Sequence, residues 1–422
     1  MFSTFPLSFF FVIFRPKFRR EQKRGKPNIP GQASFGKRRG RGEDEGWKIG
    51  GYDIPMNEVD FITKYSKSLM GKFDDFINTY RVRVGQKMFP LKEYMNRKQI
   101  TRDAIKPLYN ELVNRTRYFR SYYSKSLKPA DMSFKLVPMK SHNYSNNVMS
   151  QYKNIIRNMY FYELFVNTGT STENVVPFGI MLNDLYNKAI IDYKILTPSA
   201  LHYIENGRIG SVFSSYYFRA SIMSPFLVYS IQESELCGKR IFSPTLGWSS
   251  YCYGFMESSI VTHYVGTDVI PAVCENTRKF AKEHYPDKVC EIYCKPSEKL
   301  INEPEFSGKY KGFFDTVFFS PPYYDLEKYS SEQQSIAMYT TYESWLSRYW
   351  EPTIKLCKHV LKKGGMMCYI VSNYAGRPTL VDDLEKIVKV QFTSVRMDVM
   401  KNKPVYVNNK SDNHEKIFFW RK

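Results

Sequence analysis

With 422 residues, the chain is long enough for one large or two medium domains, and its hydrophobic content of 43% excludes a globally disordered or fibrous protein. No apolar run reaches the length of a bilayer-spanning helix, which excludes a multispanning membrane protein. The 62 Lys and Arg outnumber the 41 Asp and Glu, and the net charge of +21 favours a polyanionic partner, above all nucleic acid.

The first 47 residues differ in composition from the rest of the chain. An apolar run, FPLSFFFVIF at 5–14, is followed at once by the basic segment RPKFRREQKRGK. A secretory signal carries its positive charge before the apolar run, so this order argues against one. We predict that residues 1–47 form a basic, disordered tail, with a membrane-surface anchor as the alternative. KRRGRG at 37–42 is typical of a nuclear-localisation or phosphate-binding patch and equally of a solvated tail.

Residues 48–216 are predicted to be mainly helical. From Met56 onward, apolar residues recur at steps of three and four: Val59, Phe61, Ile62, Tyr65, Leu69, Phe73 and Phe76. The helical pattern continues to Tyr123 and returns over residues 143–167, whereas residues 127–138 predict a loop with one strand. No motif in this region can be tied to chemistry.

From residue 239 the chain alternates between strand and helix patterns. Strands are predicted at 239–243, 263–269, 289–294, 313–319, 366–372, 390–400 and 416–421. Helices are predicted at 271–284 and 343–361, the second ended by the Gly364-Gly365 pair. This alternation predicts an α/β fold with a doubly wound parallel sheet. The last two strands lack a helix between them, which predicts an antiparallel pair at one edge.

The seven cysteines do not form a metal-binding pattern. No CxxC pair occurs, and Cys290 and Cys294 share one face of a predicted strand without a second pair that would complete a zinc site. The odd count argues against a disulfide framework. We therefore predict structural thiols in a reducing, intracellular compartment, either the cytoplasm or the nucleus, including those of an infected host cell.

Unusual residues follow the first four predicted strands, where ligands of open α/β sheets bind. The first strand leads into SPTLGW at 243–248, in which proline fixes the turn and glycine allows close approach to the backbone. The second ends at Asp268, which is placed to accept hydrogen bonds from ribose hydroxyls or to cap the next helix. The third and fourth are followed by KPSE at 295–298 and SPPY at 320–323.

The SPPY segment is the most specific of these signals. Its two prolines stiffen the corner and donate no backbone N–H, so the Ser320 hydroxyl and the Pro321 carbonyl remain as acceptors for an NH₂ group. Tyr323 offers a flat face on which an extruded base can stack.

These segments together resemble a known enzyme family. SPPY directly after the buried run FFDTVFF is similar to the catalytic motif of the S-adenosylmethionine-dependent amino-methyltransferases, which methylate adenine N6 or cytosine N4 in DNA. SPTLGW resembles the family's glycine-bearing cofactor loop, and SIMSPF at 221–226 resembles the segment that precedes this loop in phage and large-DNA-virus members. The resemblance covers residues 217–422, the predicted catalytic domain.

The resemblance implies a fold and a set of site residues. The fold would be a class I methyltransferase-like, doubly wound sheet of seven strands with one antiparallel strand. The catalytic residues would be Ser320, Pro321, Pro322 and Tyr323. The cofactor, S-adenosylmethionine, would contact Ser221 with its carboxylate, the loop residues with its methionine end, Asp268 with its ribose, and three residues near its adenine. In chain order the loop and adenine contacts are Pro244, Thr245, Gly247, Trp248, Val269, Ser297 and Glu298. The chemistry needs no metal.

Two loop residues depart from the family pattern. Ser243 stands where the family usually has Asp, and Ser249 where a second Gly is common. A nucleic-acid-binding protein whose methyltransferase fold has lost its cofactor is therefore one alternative. The short spacing between the motifs leaves no room for a target-recognition insertion, so residues 48–216 become the candidate nucleic-acid recognition region.

The predicted function is methylation of the exocyclic amine of a base in DNA. The acceptors at Ser320 and Pro321 would localise the amine lone pair for in-line attack, and Asp325 or Glu327 is a candidate for taking up the released proton. Serine at the first motif position leans toward cytosine N4. The same chemistry on an RNA base is the second alternative, because related motifs serve RNA enzymes. Phosphate contacts would make the affinity fall steeply with salt.

Overall fold

The computed structural model describes residues 57–65, 71–126, 131–161, 169–170, 176–217, 222–328, 334–374, 376–401 and 414–422. The predictions for the tail at 1–47 and for Ser221 lie outside these residues. Within the described part, no helix is long and apolar enough to cross a membrane.

The N-terminal region is mainly helical. Its helices are α1 (Glu58–Lys64), α2 (Phe73–Thr79), α3 (Leu91–Lys98), α4 (Arg102–Val113), α5 (Arg115–Ser126), α6 (Ser150–Tyr160), α7 (Phe178–Asn187), α8 (Pro198–Glu205) and α9 (Ile209–Tyr217). Short 3₁₀ turns lie at Ser141–Asn143 and Tyr193–Leu196. Helices α1 to α5 and α7 to α9 bury their apolar faces in one hydrophobic cluster.

A hairpin interrupts the segment that was predicted as helical between Met56 and Tyr123. Strands β1 (Arg81–Val84) and β2 (Lys87–Pro90) pair antiparallel, and β4 (Ile190–Asp192) pairs parallel with β1. Gly85 adopts φ +60°, which suits the tight turn between the two strands. The helical prediction was wrong here because RVRV alternates with period two, a strand signal that the surrounding helical spacing masked.

The strand predicted within residues 127–138 is absent from the described part of that segment, 131–138. Side chains of the sheet region, residues 222–422, bind its backbone instead of a neighbouring strand. Glu257 accepts from the Phe134 N–H at 2.8 Å, and the Ser230 hydroxyl accepts from the Met139 N–H at 2.9 Å. The segment is thus an ordered loop that lies on the sheet region.

Between residues 222 and 422, the described residues form helices and strands that alternate from residue 239 onward, as predicted. The helices are α10 (Pro225–Ile231), α11 (Ser250–Met256), α12 (Pro271–His284), α13 (Pro304–Lys309), α14 (Ser335–Met338), α15 (Tyr342–Trp345), α16 (Glu351–Val360) and α17 (Leu380–Lys389). A 3₁₀ turn lies at Ser297–Asn302, and wider π-type turns lie at Gln232–Leu236 and Leu346–Trp350.

The strands of this region build one large sheet. They are β5 (Arg240–Ser243), β6 (His263–Asp268), β7 (Val289–Cys294), β8 (Phe314–Phe319), β10 (Leu361–Val371), β11 (Thr393–Val399) and β12 (Lys416–Arg421). Outside this sheet, β3 (Gly169–Thr170) and β9 (Glu327–Lys328) form a separate antiparallel pair.

The sheet has seven strands in the order β11-β12-β10-β8-β5-β6-β7. All neighbours run parallel except β12, which is antiparallel to both β10 and β11. The predicted fold class is therefore confirmed. From β5 the chain builds outward to β6 and β7, then returns to place β8 on the other side of β5. This reversal makes a crevice at the carboxyl ends of β5 and β8, the usual ligand position in such sheets.

Strand β10 begins five residues before the predicted start at 366. It follows α16 directly, because Leu361 already pairs with Phe314, and the register shifts between Leu361 and Met366. Gly364, with φ +75°, lies inside this irregular stretch. The Gly364-Gly365 pair therefore shapes a bulge in the strand, whereas we predicted that it ended the helix.

The core of the sheet region includes side chains from the N-terminal part of the chain. Residues between Met139 and Phe161 share one hydrophobic cluster with those between Ile222 and Trp420. Helix α6 thus belongs by packing to the sheet region. The boundary at 217 and the recognition role of residues 48–216 stay predictions.

Candidate active site

A cavity of about 510 Å³ opens at the carboxyl edge of the sheet. This volume falls in the range of about 300–1,000 Å³ that is usual for small-molecule sites. Its wall brings together all the site residues predicted within the described part: Pro244, Thr245, Gly247, Trp248, Asp268, Val269, Ser297, Glu298, Ser320, Pro321, Pro322 and Tyr323. Their individual roles stay predictions.

The turn after β5 has an unusual backbone. Gly247, Trp248 and Ser249 all adopt positive φ, at 52°, 56° and 62°. A Cβ on Gly247 would lie 2.2 Å from the Tyr251 ring, so only glycine fits there. Trp248 is 7% exposed, lines the cavity and meets Phe161 edge-on at 5.9 Å between ring centroids.

The two serines that depart from the family pattern do not line the cavity. Ser249 takes the left-handed conformation that a glycine would favour, and its hydroxyl lies 2.6 Å from that of Thr277 in α12. Ser243 is fully buried at the end of β5. Ser249 thus keeps the turn geometry with a hydrogen-bonded side chain.

Two neighbouring side chains hold the SPPY corner. The Ser320 N–H donates to the Tyr251 hydroxyl at 3.2 Å, and the Thr245 hydroxyl donates to the Ser320 carbonyl at 3.2 Å. The Pro321 carbonyl accepts no hydrogen bond within the described residues. The corner is therefore fixed by the β5 loop and α11, while the Pro321 acceptor stays available.

The motif tyrosine is fixed at its hydroxyl. The Ser372 N–H, just after β10, donates to the Tyr323 hydroxyl at 2.9 Å. Its ring meets that of Tyr374 at 74°, with 5.9 Å between the centroids. The ring that lines the cavity is thereby held in one orientation.

Asp268 connects two loops at the end of β6. One carboxylate oxygen accepts from the Leu246 N–H at 3.3 Å and the other from the Ile270 N–H at 3.1 Å. The N-cap of α12 is Ile270, so Asp268 is not the capping residue that the alternative interpretation required. Burial raises the pKa of Asp268, although the backbone N–H groups that it accepts from act in the opposite direction.

Ser297 and Glu298 begin the turn after β7, and both are buried. The Glu298 carboxylate, only 6% exposed, accepts from the Tyr339 hydroxyl at 3.0 Å. Burial raises the pKa of Glu298 as well. The Ser297 hydroxyl lies 3.4 Å from that of Thr353 in α16. Two carboxyl groups thus belong to one end of the cavity.

Sequence reasoning missed several wall residues, among them Tyr251, Tyr349, Ser372, Asn146 and Glu415. The strand-end pattern that found Ser320 would also have found Ser372. No sequence signal marks Asn146, because the cavity forms there only when its segment packs against the sheet region. Its side-chain oxygen accepts from the Ser224 N–H at 2.5 Å.

The Asp325 side chain, which follows the motif, lies outside the cavity wall. Its carboxylate accepts a hydrogen bond from the Tyr374 hydroxyl. The backbone of Glu327 pairs with Thr170 in the β3–β9 ladder. The suggested part of Asp325 in proton uptake therefore gains no support, and the suggestion for Glu327 stays a prediction.

Metal ligands are absent from the described part of the chain. No group of three or more His, Cys, Asp or Glu side chains there could hold an ion, and all seven cysteines are free thiols. The wall instead combines carboxyl groups with apolar side chains such as Trp248, Val269 and Val273. This combination suits a nucleoside, whose sugar hydroxyls and amino group donate hydrogen bonds and whose base packs on apolar surface.

No family model matches the chain, and no curated protein matches it either. Among solved structures, it is similar to the N-methyltransferase NodS from Bradyrhizobium japonicum WM9 in complex with S-adenosyl-l-homocysteine, at 11% identity and a TM-score of 0.31, over 46% of this chain and 82% of that chain. TrmN from Thermus thermophilus gives 12% identity and a TM-score of 0.33, over 48% of this chain and 50% of that chain. Spermidine synthase from Thermotoga maritima gives 14% identity and a TM-score of 0.29, over 44% of this chain and 54% of that chain. Scores this low carry no argument, so the fold rests on the observed strand order.

Proposed function

We propose that this protein is an S-adenosylmethionine-dependent methyltransferase that modifies the exocyclic amine of a base in DNA. One observation carries the proposal: the SPPY corner after β8, the glycine turn after β5 and the strand-end Asp268 of β6 line a single cavity. The sequence predicts a different role for each element: the corner holds the target amine, the glycine turn contacts the methionine end of the cofactor, and Asp268 binds its ribose. Their convergence in one crevice supports that reaction.

The residues of the wall fit S-adenosylmethionine. Asp268 offers carboxylate oxygens to the ribose hydroxyls, and Glu298 offers its carboxylate to the adenine amino group. Trp248 and Val269 provide apolar surface beside them. Gly247 leaves the turn without a Cβ, so the backbone can approach the methionine end. When bound, the cofactor supplies an electrophilic methyl group on a positively charged sulfur.

The corner's task is to position the target amine. The Ser320 hydroxyl and the Pro321 carbonyl accept the two N–H hydrogens, which draws the nitrogen lone pair out of the ring and toward the methyl group. The nitrogen–carbon bond forms as the carbon–sulfur bond breaks, the bonding pair stays on sulfur, and the extra N–H proton passes to water. Well-oriented reactants gain about 7–11 kcal/mol from such positioning alone.

Charge in the N-terminal region supports a nucleic-acid partner. Residues 71–126 carry 13 Lys and Arg against 5 Asp and Glu. Lys92, Lys98 and Lys106, on α3 and α4, are exposed. Such a surface attracts phosphates, which supply much of the affinity in protein–DNA complexes. We assign the duplex-contacting role to this region.

The test is methyl transfer from labelled S-adenosylmethionine to duplex DNA, followed by mass spectrometry of the nucleosides. The wild type should produce one methylated base, N6-methyladenine or N4-methylcytosine. The double variant Ser320→Ala with Tyr323→Ala should lose at least about 100-fold in rate, because the amine is no longer held or stacked.

Calorimetry with S-adenosylhomocysteine provides the control. The double variant should retain the product affinity of the wild type, since both changes leave the carboxyl groups of Asp268 and Glu298 in place. If the labelled methyl group enters RNA but not DNA, the substrate is an RNA base and the DNA assignment is wrong. If the wild type neither binds the product nor labels nucleic acid, the proposed enzymatic function is wrong.

A further inference from the structure

The helical segment between β8 and β10 contains a π-type turn at Leu346–Trp350. Such turns insert an extra residue into a helix and are frequent at functional sites. Tyr349 lies in this turn, is 4% exposed and lines the cavity. Its neighbour Trp350 packs on Phe319 of β8, with 5.7 Å between the ring centroids. The turn therefore sends one aromatic residue to the sheet and the preceding one to the cavity.

Tyr349 differs from the other two tyrosines of the cavity wall in its hydrogen bonding. The Tyr251 hydroxyl accepts from the Ser320 N–H, and the Tyr323 hydroxyl accepts from the Ser372 N–H. The Tyr349 hydroxyl is buried and has no hydrogen-bond partner among the described residues. Buried polar groups are normally paired, so this one has unused bonding capacity at a ligand site.

Other described tyrosines also bury a hydroxyl without a partner: Tyr122, Tyr186, Tyr264 and Tyr369. None of these four lines the cavity. The unpaired hydroxyl alone is therefore not diagnostic. The combination of an unpaired hydroxyl, a π-type turn and a place in the cavity wall distinguishes Tyr349.

The surroundings of Tyr349 belong to the acidic end of the cavity, defined by Asp268, Ser297 and Glu298. The Thr353 hydroxyl donates to the Tyr349 carbonyl at 2.7 Å and lies 3.4 Å from the Ser297 hydroxyl. Burial raises the pKa of Tyr349, and the carboxyl groups of Glu298 and Asp268 raise it further. The phenol is therefore protonated at neutral pH and available as a donor.

We propose that the Tyr349 hydroxyl donates a hydrogen bond to an adenine ring nitrogen of the cofactor, beside the amino group that Glu298 accepts from. This inference rests on the proposed function, because it takes S-adenosylmethionine as the ligand. A carboxylate accepts several hydrogen bonds, so Glu298 serves the Tyr339 hydroxyl and the amino group together. An acceptor beside a donor matches the edge of adenine, in which an amino group adjoins a ring nitrogen.

The test is a chemical double-mutant cycle with S-adenosylhomocysteine, measured by calorimetry without nucleic acid. The probes are the parent compound and its 1-deaza and 7-deaza analogues, each of which replaces one ring nitrogen next to the amino group by C–H. Tyr349→Phe should weaken binding of the parent about tenfold, and one deaza analogue should bind the wild type about tenfold more weakly than the parent does. The variant should bind that analogue and the parent equally.

Tyr186→Phe is the matched control, because it removes another buried, unpartnered hydroxyl from the N-terminal cluster. It should leave the affinity unchanged, and neither variant should lower Tm, since no hydrogen bond within the described protein is lost. The inference is overturned if Tyr349→Phe binds the parent like the wild type, or if each analogue loses the same affinity in both proteins. If the wild type binds no S-adenosylhomocysteine, both this inference and the proposed function fail.

Discussion

The two ends of the cavity use their polar groups differently. At the motif end, defined by residues 320–323, the protein's own hydrogen bonds fix the backbone of Ser320 and the hydroxyl of Tyr323. At the acidic end, the pKa values of the partly buried Asp268 and the buried Glu298 are raised, and the Tyr349 hydroxyl has no partner among the described residues. At the motif end the protein's own hydrogen bonds hold the corner that presents the Pro321 carbonyl, whereas at the acidic end the Tyr349 hydroxyl has no partner in the part of the chain that the structure describes.

This difference matches the two tasks that the proposed methyl transfer requires. A rigid corner helps to orient the nucleophile, because the activation barrier falls when the reacting atoms are held in line. Binding of the methyl donor is stronger when polar groups of the protein that lack a hydrogen-bond partner gain one from the ligand. Substitutions at the motif end should therefore change kcat, whereas those at the acidic end should change cofactor affinity.

The largest effect is expected from Gly247→Ala. The new Cβ would meet the Tyr251 ring at 2.2 Å, and φ is +52°. Displacement of Tyr251 releases the Ser320 N–H, so the rate of methyl transfer should fall by about 100-fold or more. The free energy of unfolding should fall by about 2–5 kcal/mol, as measured by denaturant titration.

Gly364→Ala is the control for this substitution. Gly364 also has positive φ, at +75°, but a Cβ added there, in the β10 bulge, would meet nothing within 4 Å. It should cost only about 1–2 kcal/mol of stability and leave catalysis unchanged. Equal losses of activity in the two variants would mean that general destabilisation, rather than Tyr251, connects Gly247 to the corner.

A smaller effect is expected from Tyr251→Phe. The ring stays, but the Ser320 N–H loses its acceptor at 3.2 Å. We expect kcat to fall about tenfold, the equivalent of one hydrogen bond, with the affinity for S-adenosylhomocysteine unchanged. Tyr253→Phe on the same helix is the control, since its hydroxyl donates to the Met132 carbonyl outside the cavity. If Tyr251→Phe lowers cofactor affinity but not kcat, the claim that the motif end controls kcat and the acidic end controls cofactor affinity is wrong.

The mildest test varies pH at the acidic end. Burial raises the pKa values of Asp268 and Glu298, so both carboxyl groups take up protons at higher pH than ordinary ones. Protonation removes acceptors, and affinity for S-adenosylhomocysteine should fall as pH drops through these raised values. Calorimetry across this range checks the trend, and Asp268→Asn with Glu298→Gln should flatten it.

The same groups affect stability in the opposite direction. Between the ordinary and the raised pKa values the folded state binds more protons than the unfolded state, so their contribution to the free energy of unfolding rises as pH falls. Chemical denaturation of the ligand-free protein measures this trend. Parallel loss of stability and affinity on acidification would show that other groups dominate.

Much of the sheet was predictable from the sequence because its signals are local. Strand β8 is an apolar run followed, after Ser320, by two prolines, and β6 ends at Asp268, so pattern and position together predict the crevice. The hairpin at 81–90 was missed because a period-two pattern four residues long was read within a longer helical one.

The supporting residues of the site were not predictable in the same way. Tyr251 matters because the missing Cβ of Gly247 leaves room for its ring, and neither residue indicates this alone. Tyr349 reaches the cavity from a π-type turn, whose altered phase ordinary helical spacing does not anticipate. Asn146 comes from a distant segment that packs on the sheet region. Such residues are defined by tertiary contacts.

The packing of α6 has a consequence for how this protein can be divided. A fragment that began at residue 217 would lose seven core side chains from the described part of the preceding segment: Met139, Tyr144, Tyr152, Ile155, Ile156, Tyr160 and Phe161. The apolar surface that Tyr152 and Tyr160 cover on α10 and α12 would then meet solvent. A fragment that keeps this packing would therefore have to begin upstream of residue 131.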